Sequence, residues 1–210
     1  MRKYLLIVGL LVAIAPAAGQ SVVGTLHDLS ADGGTSEVCV YCHTPHQAAA
    51  ATVQQPLWNH TVSTTANFGV YASNTLNATD LADIGGQAVG SQSVSALCMG
   101  CHDGSVALES LYNPPNSGAP GAIGTITGNA NLGTSLVDDH PVNFTYDNTL
   151  ATADGGLAVP TDGTTVDGTV PLFGGTVQCA SCHDPHNDTN TPFLVATNAG
   201  SALCLRCHNK

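Results

Sequence analysis

The sequence predicts a small, loop-rich fold with little regular secondary structure, having short helices at four cysteine motifs and a few short strands. Three observations lead there. All eight cysteines fall in four copies of one pattern: Cys39-x-x-Cys42-His43, Cys98-x-x-Cys101-His102, Cys179-x-x-Cys182-His183 and Cys204-x-x-Cys207-His208. The stretches between them are rich in Thr, Asn, Ser and Asp, with 23 glycines in the chain, and such residues favour turns over helices or strands. One Trp, five Tyr and four Phe in 210 residues are too few to offset the ordering entropy of so polar a chain. Something other than side chains is expected to fill the interior.

The start, MRKYLLIVGLLVAIAPAAGQ, reads as a secretory signal at 1–19. Arg2 and Lys3 precede an apolar run from Leu5 to Ala15, and small residues suit cleavage after Ala17 or Gly19. The run is shorter than the roughly 20 residues of a membrane span. The expected mature chain, 20–210, is one domain of two related halves, about 20–112 and 136–210, with no membrane span. It keeps Arg206 and Lys210 against fifteen acids. That balance argues against nucleic acid and anionic membranes as partners, since both call for basic patches.

The motifs alternate in kind. The first and third continue as CHTPH and CHDPH; the second and fourth follow the same tripeptide, Ser95-Ala96-Leu97 and Ser201-Ala202-Leu203. This is an internal A-B-A-B repeat. Between motifs, residues 113–135 and 147–175 read as loops. A helix is predicted over Ser93 to Leu108, capped by Ser93 or Ser95, and Thr169 to Phe173 could pair as a small strand.

C-x-x-C-H is the attachment pattern of c-type haem: two thiols bond the porphyrin vinyl groups and the adjacent histidine binds the iron. A zinc half-site, a redox dithiol or a disulfide framework would each use C-x-x-C without a histidine directly after it. Four repetitions that leave no cysteine over favour four covalently bound haem c groups. The fold class then becomes a multihaem cytochrome c fold whose core is formed by four haems. Cys39, Cys42, Cys98, Cys101, Cys179, Cys182, Cys204 and Cys207 carry the thioethers, and His43, His102, His183 and His208 are the proximal iron ligands.

Five histidines remain, His27, His46, His60, His140 and His186, for four distal positions. Met99, inside a motif, is poorly placed to ligate. Bis-histidine ligation is therefore expected at all four haems, with one histidine spare. Three residues span at most about 10 Å, too little to reach around a porphyrin to its far face. His46 cannot complete the haem held by His43, nor His186 that of His183, so each must serve another iron and draw two haems together. Closed haems leave no place for substrate, which favours electron transfer over catalysis.

CHTPH, CHDPH and the terminal ALCLRCHNK, with HDLS (27–30), PLWNH (56–60) and DDHPV (138–142), resemble the doubled-CxxCH multihaem cytochromes. More narrowly they resemble the tetrahaem class of extracellular cytochrome nanowires of metal-reducing microbes. The resemblance runs from about residue 27 to 210 and is weak at 61–90, 113–135 and 147–175. It implies a secreted, head-to-tail homopolymer with a continuous chain of haems, one of them ligated by a histidine of the next subunit, here His46. A non-closing contact of that kind builds a filament. Upstream periplasmic or outer-surface cytochromes and external acceptors such as metal oxides are the implied partners. A monomeric periplasmic tetrahaem carrier, or a reductase with one open haem, are the alternatives the motifs leave.

Overall fold

A computed structural model describes residues 21–48, 57–87 and 93–209. The expected leader lies outside them. A single 3-10 turn, Val38–Tyr41, comes first, and the first α-helix is α1, Val94–His102. The Ser93 side chain accepts the Ala96 N–H at its start, which satisfies one of the donors a helix leaves unpaired. Ser95, Ala96, Leu97, Met99 and Gly100 form its buried side. The helix stops six residues short of the expected Leu108. Gly104 turns left-handed at φ +71°, and the Asp103 carboxylate, buried beside it, collects the hydroxyls of Ser63, Thr65 and Ser105. That polar knot outcompetes another helical turn.

Downstream, β1 (Phe144–Thr145) leads into α2 (Asn148–Asp154), a helix inside the stretch read as loop. Asp147 caps its start by accepting the Leu150 N–H at 2.8 Å, and Gly155 ends it at φ +68°. Two short strands follow, β2 (Thr165–Val166) and β3 (Val170–Pro171), paired antiparallel. Asp167 and Gly168 both take positive φ in the turn between them, the conformation that an Asp-Gly pair favours in a hairpin. Of the expected strand at 169–173, Val170–Pro171 forms in β3 and Phe173 makes a lone bridge to Thr176. Strand β4 (Thr176–Val177) pairs with β1, and helix α3 (Cys179–Cys182) closes the third motif.

The buried apolar side chains form two small clusters. One gathers Phe144, Tyr146, Leu150, Val166, Val170, Leu172, Val177 and Leu203, with Cys182 and Cys207 packed on its edge. The other joins Phe68, Ile84, Ala96, Met99 and Leu136. Met99 is therefore core. A buried polar bridge ties α1 to α3. Gln178 Oε1 accepts the Ser95 hydroxyl at 2.6 Å and its N–H at 3.2 Å, while Ser95 Oγ accepts the Cys179 N–H at 2.9 Å. The Gln178 amide nitrogen donates to Asn143 and Thr176, so no member of the bridge lacks a partner. The second and third motifs, which belong to different halves of the sequence, are thereby fixed side by side. Among the described residues no helix is long and apolar enough to cross a membrane.

Candidate functional site

Each motif is a single helical turn or slightly more. The histidine N–H bonds back to the first cysteine's carbonyl in the first, third and fourth motifs, at 2.9, 3.1 and 3.0 Å. One turn places residues i, i+3 and i+4 on the same side. That is why the spacing works: both thiols and the imidazole leave the backbone toward one face.

The same three histidines share a backbone clamp. His43 bridges to Trp58, His183 to Leu194 and His208 to Leu157. Around each bridge two bonds repeat. The residue after the histidine donates to the carbonyl preceding the bridge partner: Thr44 to Leu57, Asp184 to Phe193 and Asn209 to Gly156. The residue after the partner donates to the second cysteine's carbonyl: Asn59 to Cys42, Val195 to Cys182 and Ala158 to Cys207. The second motif is held differently, with Leu132 donating to the His102 carbonyl at 2.7 Å.

Ring orientation is set as well. His102 Nδ1–H donates to the Ala130 carbonyl at 2.8 Å and His183 Nδ1–H to that of Pro192 at 3.0 Å. A carbonyl only accepts, so the proton sits on Nδ1 and the Nε2 lone pair is left for a metal. His140 has the same arrangement through Pro141, at 2.9 Å. His186 Nδ1 lies 3.4 Å from the carboxylate of Asp184 in its own motif.

Three of the motif histidines face a histidine from outside any motif pair of their own. His43 and His186 have ring centroids 6.1 Å apart and nearly parallel planes, at 13°. His102 and His27 lie 6.1 Å apart, and His208 and His140 6.4 Å apart, with planes at 65° and 72°. An imidazole nitrogen binds a transition metal at about 2 Å and its ring centroid lies about 1.1 Å further, so two imidazoles flanking one metal have centroids about 6.3 Å apart. The three observed separations match that span. His186 lies opposite His43 of another motif, as the three-residue limit requires.

The rest of the nine differ. His183 and His46 are exposed, and among the described residues no histidine ring lies against either. His60 is buried at 1 % exposure, with Nδ1 2.7 Å from the Thr61 carbonyl and Nε2 3.2 Å from that of Ala107. A neutral ring has one N–H, so it donates to one of these two carbonyls, and Cys101 Sγ lies 3.7 Å from Nδ1 and 3.6 Å from Nε2. His27 is the reverse: its Nδ1 is buried with no hydrogen-bond partner among the described residues. Burial, with His102, His186 and His183 nearby, pushes the His27 imidazolium down to about 4. The neutral ring with a bare lone pair is the metal-binding form.

None of the eight cysteines is in a disulfide. Burial pushes the Cys42 and Cys207 thiols up to about 11 and Cys101 up to about 12. Reactive dithiols show the opposite shift. Cys179 is held low by a hydrogen bond from Cys98, a thiol of a different motif, and Cys98 rises correspondingly. Among the described residues no three of His, Cys, Asp and Glu converge as a cage for a metal ion. Thiol pairs next to a histidine, with a second histidine across a metal-sized gap, form a donor set suited to haem.

Residues 171–210 match the family described as the doubled CXXCH motif. That segment holds the third and fourth motifs. No curated protein matches the chain. The doubled motif implies covalently bound haem c and is consistent with a multihaem c-type cytochrome working in electron transfer. The orphaned Nδ1 of His27 and the three histidine gaps fit such a group. Sequence reasoning had not found the clamps through Trp58, Leu157 and Leu194, nor the burial of His60. A single bridged residue leaves no periodicity to read, and only the apolar character of all three partners hints at their shared place.

Proposed function

We propose that this chain is a tetrahaem c-type cytochrome that polymerises into an extracellular conductive filament. The thioethers form at the eight motif cysteines, and His43, His102, His183 and His208 are the proximal ligands. His186, His27 and His140 serve as distal ligands to the irons of His43, His102 and His208. Bound haem iron supplies one-electron chemistry by cycling between ferrous and ferric states. The chain's own part is to orient His102, His183 and His140 by carbonyl bonds, to hold His43, His183 and His208 by backbone clamps, and to fill the sixth position so that neither water nor substrate enters. Packing the motifs of both halves together keeps neighbouring haems close.

The observation that carries the filament reading is the mismatch left over. Among the described residues His183 has no histidine ring packed against it, and His46 is exposed with no ring against it. A neighbour's His46 placed across from His183 would satisfy both, and because donor and acceptor surfaces differ, the contact repeats without closing. The resemblance to cytochrome nanowires supports the same assignment of His46. His60, with its ring nitrogens against the Thr61 and Ala107 carbonyls, is then the spare histidine.

Electron microscopy of the sheared extracellular fraction, with haem staining and mass spectrometry, is the test. Thin uniform filaments of this chain are expected. His46→Ala should keep the haem content and lose the filaments, leaving discrete particles in which one haem in four is high-spin. Discrete particles from the natural chain, found in the periplasm with every haem low-spin, would return it to the soluble carriers.

A further inference from the structure

Trp58 is the chain's one tryptophan, and its indole Nε1 is buried without a hydrogen-bond partner among the described residues. An indole N–H can only donate, and leaving it unpaired away from water costs about 1–3 kcal/mol. Its neighbours show no such defect. Asn59, fully buried next to it, donates to the Val40 and Asn113 carbonyls and accepts the Asn113 N–H. The polar side chain of Asn59 is fully satisfied, so the orphan at Trp58 points to an acceptor that the described residues do not supply.

Position narrows that acceptor. The clamp sets Trp58 directly across from His43, and the indole stands edge-on to the imidazole, with centroids 6.5 Å apart and planes at 89°. Charge narrows it further. Four haems bring eight propionate carboxylates into a chain whose expected mature form has two cations, Arg206 and Lys210. Arg206 already faces Asp167 at 2.6 Å. With so few cations, a propionate buried beside the first motif would draw on neutral donors, since an unpaired buried charge is far more costly than an unpaired amide.

We infer that the Trp58 indole N–H donates a hydrogen bond to a propionate of the haem carried by Cys39, Cys42 and His43. The inference rests on the haem reading of the first motif. Trp58 is a positioning residue: it fixes the tilt of that haem and draws negative charge away from its iron. Withdrawing charge favours the reduced state, so the bond raises the potential of one haem of the four.

The holoprotein tests this without mutation. Because Trp58 is alone, ultraviolet resonance Raman reads its indole N–H directly, and a hydrogen-bonded band is expected. Haem-enhanced Raman of Trp58→Phe should show the propionate deformation band of one haem shifted. Voltammetry should show one midpoint potential lowered and three unchanged, with all haems present and low-spin. A non-bonded indole band in the natural protein overturns the inference, even if Trp58→Phe fails to fold. So does a bonded band with propionate modes and potentials that do not move on substitution, which would mean a water partner. Failure of the underlying haem reading is distinguishable: the peptide bearing Cys39 and Cys42 would then lack the added mass of a haem.

Discussion

Replacing His186 with alanine removes the ring that lies 6.1 Å from His43 at a 13° interplanar angle. Everything else at the first motif stays. Its one-turn backbone is held by the His43 N–H bond to Cys39 and by the clamp to Trp58, neither of which involves residue 186. The haem should remain attached while its iron loses one axial ligand. With four motifs in the chain, the change is one haem in four, so roughly a quarter of the reduced haem in assembled protein should bind carbon monoxide and turn high-spin. Added imidazole should refill the gap and restore the low-spin spectrum. His186→Met should keep the iron six-coordinate and raise its potential, as methionine does in place of histidine. A double variant decides the pairing. His27 faces His102, a different motif, so His27→Ala with His186→Ala should open about half the haem, the effects adding as separate sites do. If the double variant opens no more than either single one, the two histidines share an iron and the assigned pairs are wrong. If His186→Ala leaves every haem low-spin, His186 is not a ligand at all.

Two further outcomes are expected. His60→Gln should leave haem content and spin state unchanged, measured by absorbance and electron paramagnetic resonance, because its ring nitrogens lie against the Thr61 and Ala107 carbonyls; high-spin haem in that variant would make His60 a ligand. Ser95→Ala strands the buried Cys179 N–H and removes a donor from Gln178, at a cost of about 1–3 kcal/mol. In a chain of this length that lowers the melting midpoint by about 2–12 °C, followed by circular dichroism of the holoprotein; an unshifted midpoint would mean the bridge does not hold α1 to α3.

Much of the candidate site was legible because it resides in single residues at fixed spacing. The four motifs, and the limit that sends His186 to another motif's histidine, needed only the length of a residue. Which histidine it faces did not follow, since that depends on contacts between the ends of the chain. The cap at Ser93 was readable and the end of α1 was not, because Asp103 draws in Ser63 and Thr65 from a segment far away in sequence. Helix α2 was missed although Asp147 and Gly155 frame it, for its seven residues carry too few apolar positions to stand out among Thr, Asp and Gly. Of the A-B-A-B repeat in the letters, the A motifs also repeat in the backbone, with the same clamp at His43 and His183, whereas the tripeptides before the B motifs do not. Ser95-Ala96-Leu97 lies within a helix, whereas Ser201-Ala202-Leu203 follows Gly200 with both Gly200 and Ser201 at positive φ. Identical tripeptides diverge once a preceding glycine turns the chain left-handed.

The facing of His43 and His186 also sets a clock. The two residues are 143 positions apart (43 to 186), and a ribosome adding about 5–20 residues per second needs roughly 7–30 s to cover that distance. For all of that time the ring that comes to face His43 has not yet been made. The ring that faces His43 thus comes from the last quarter of the polypeptide, and on the proposed haem reading the closure of the first motif waits for it.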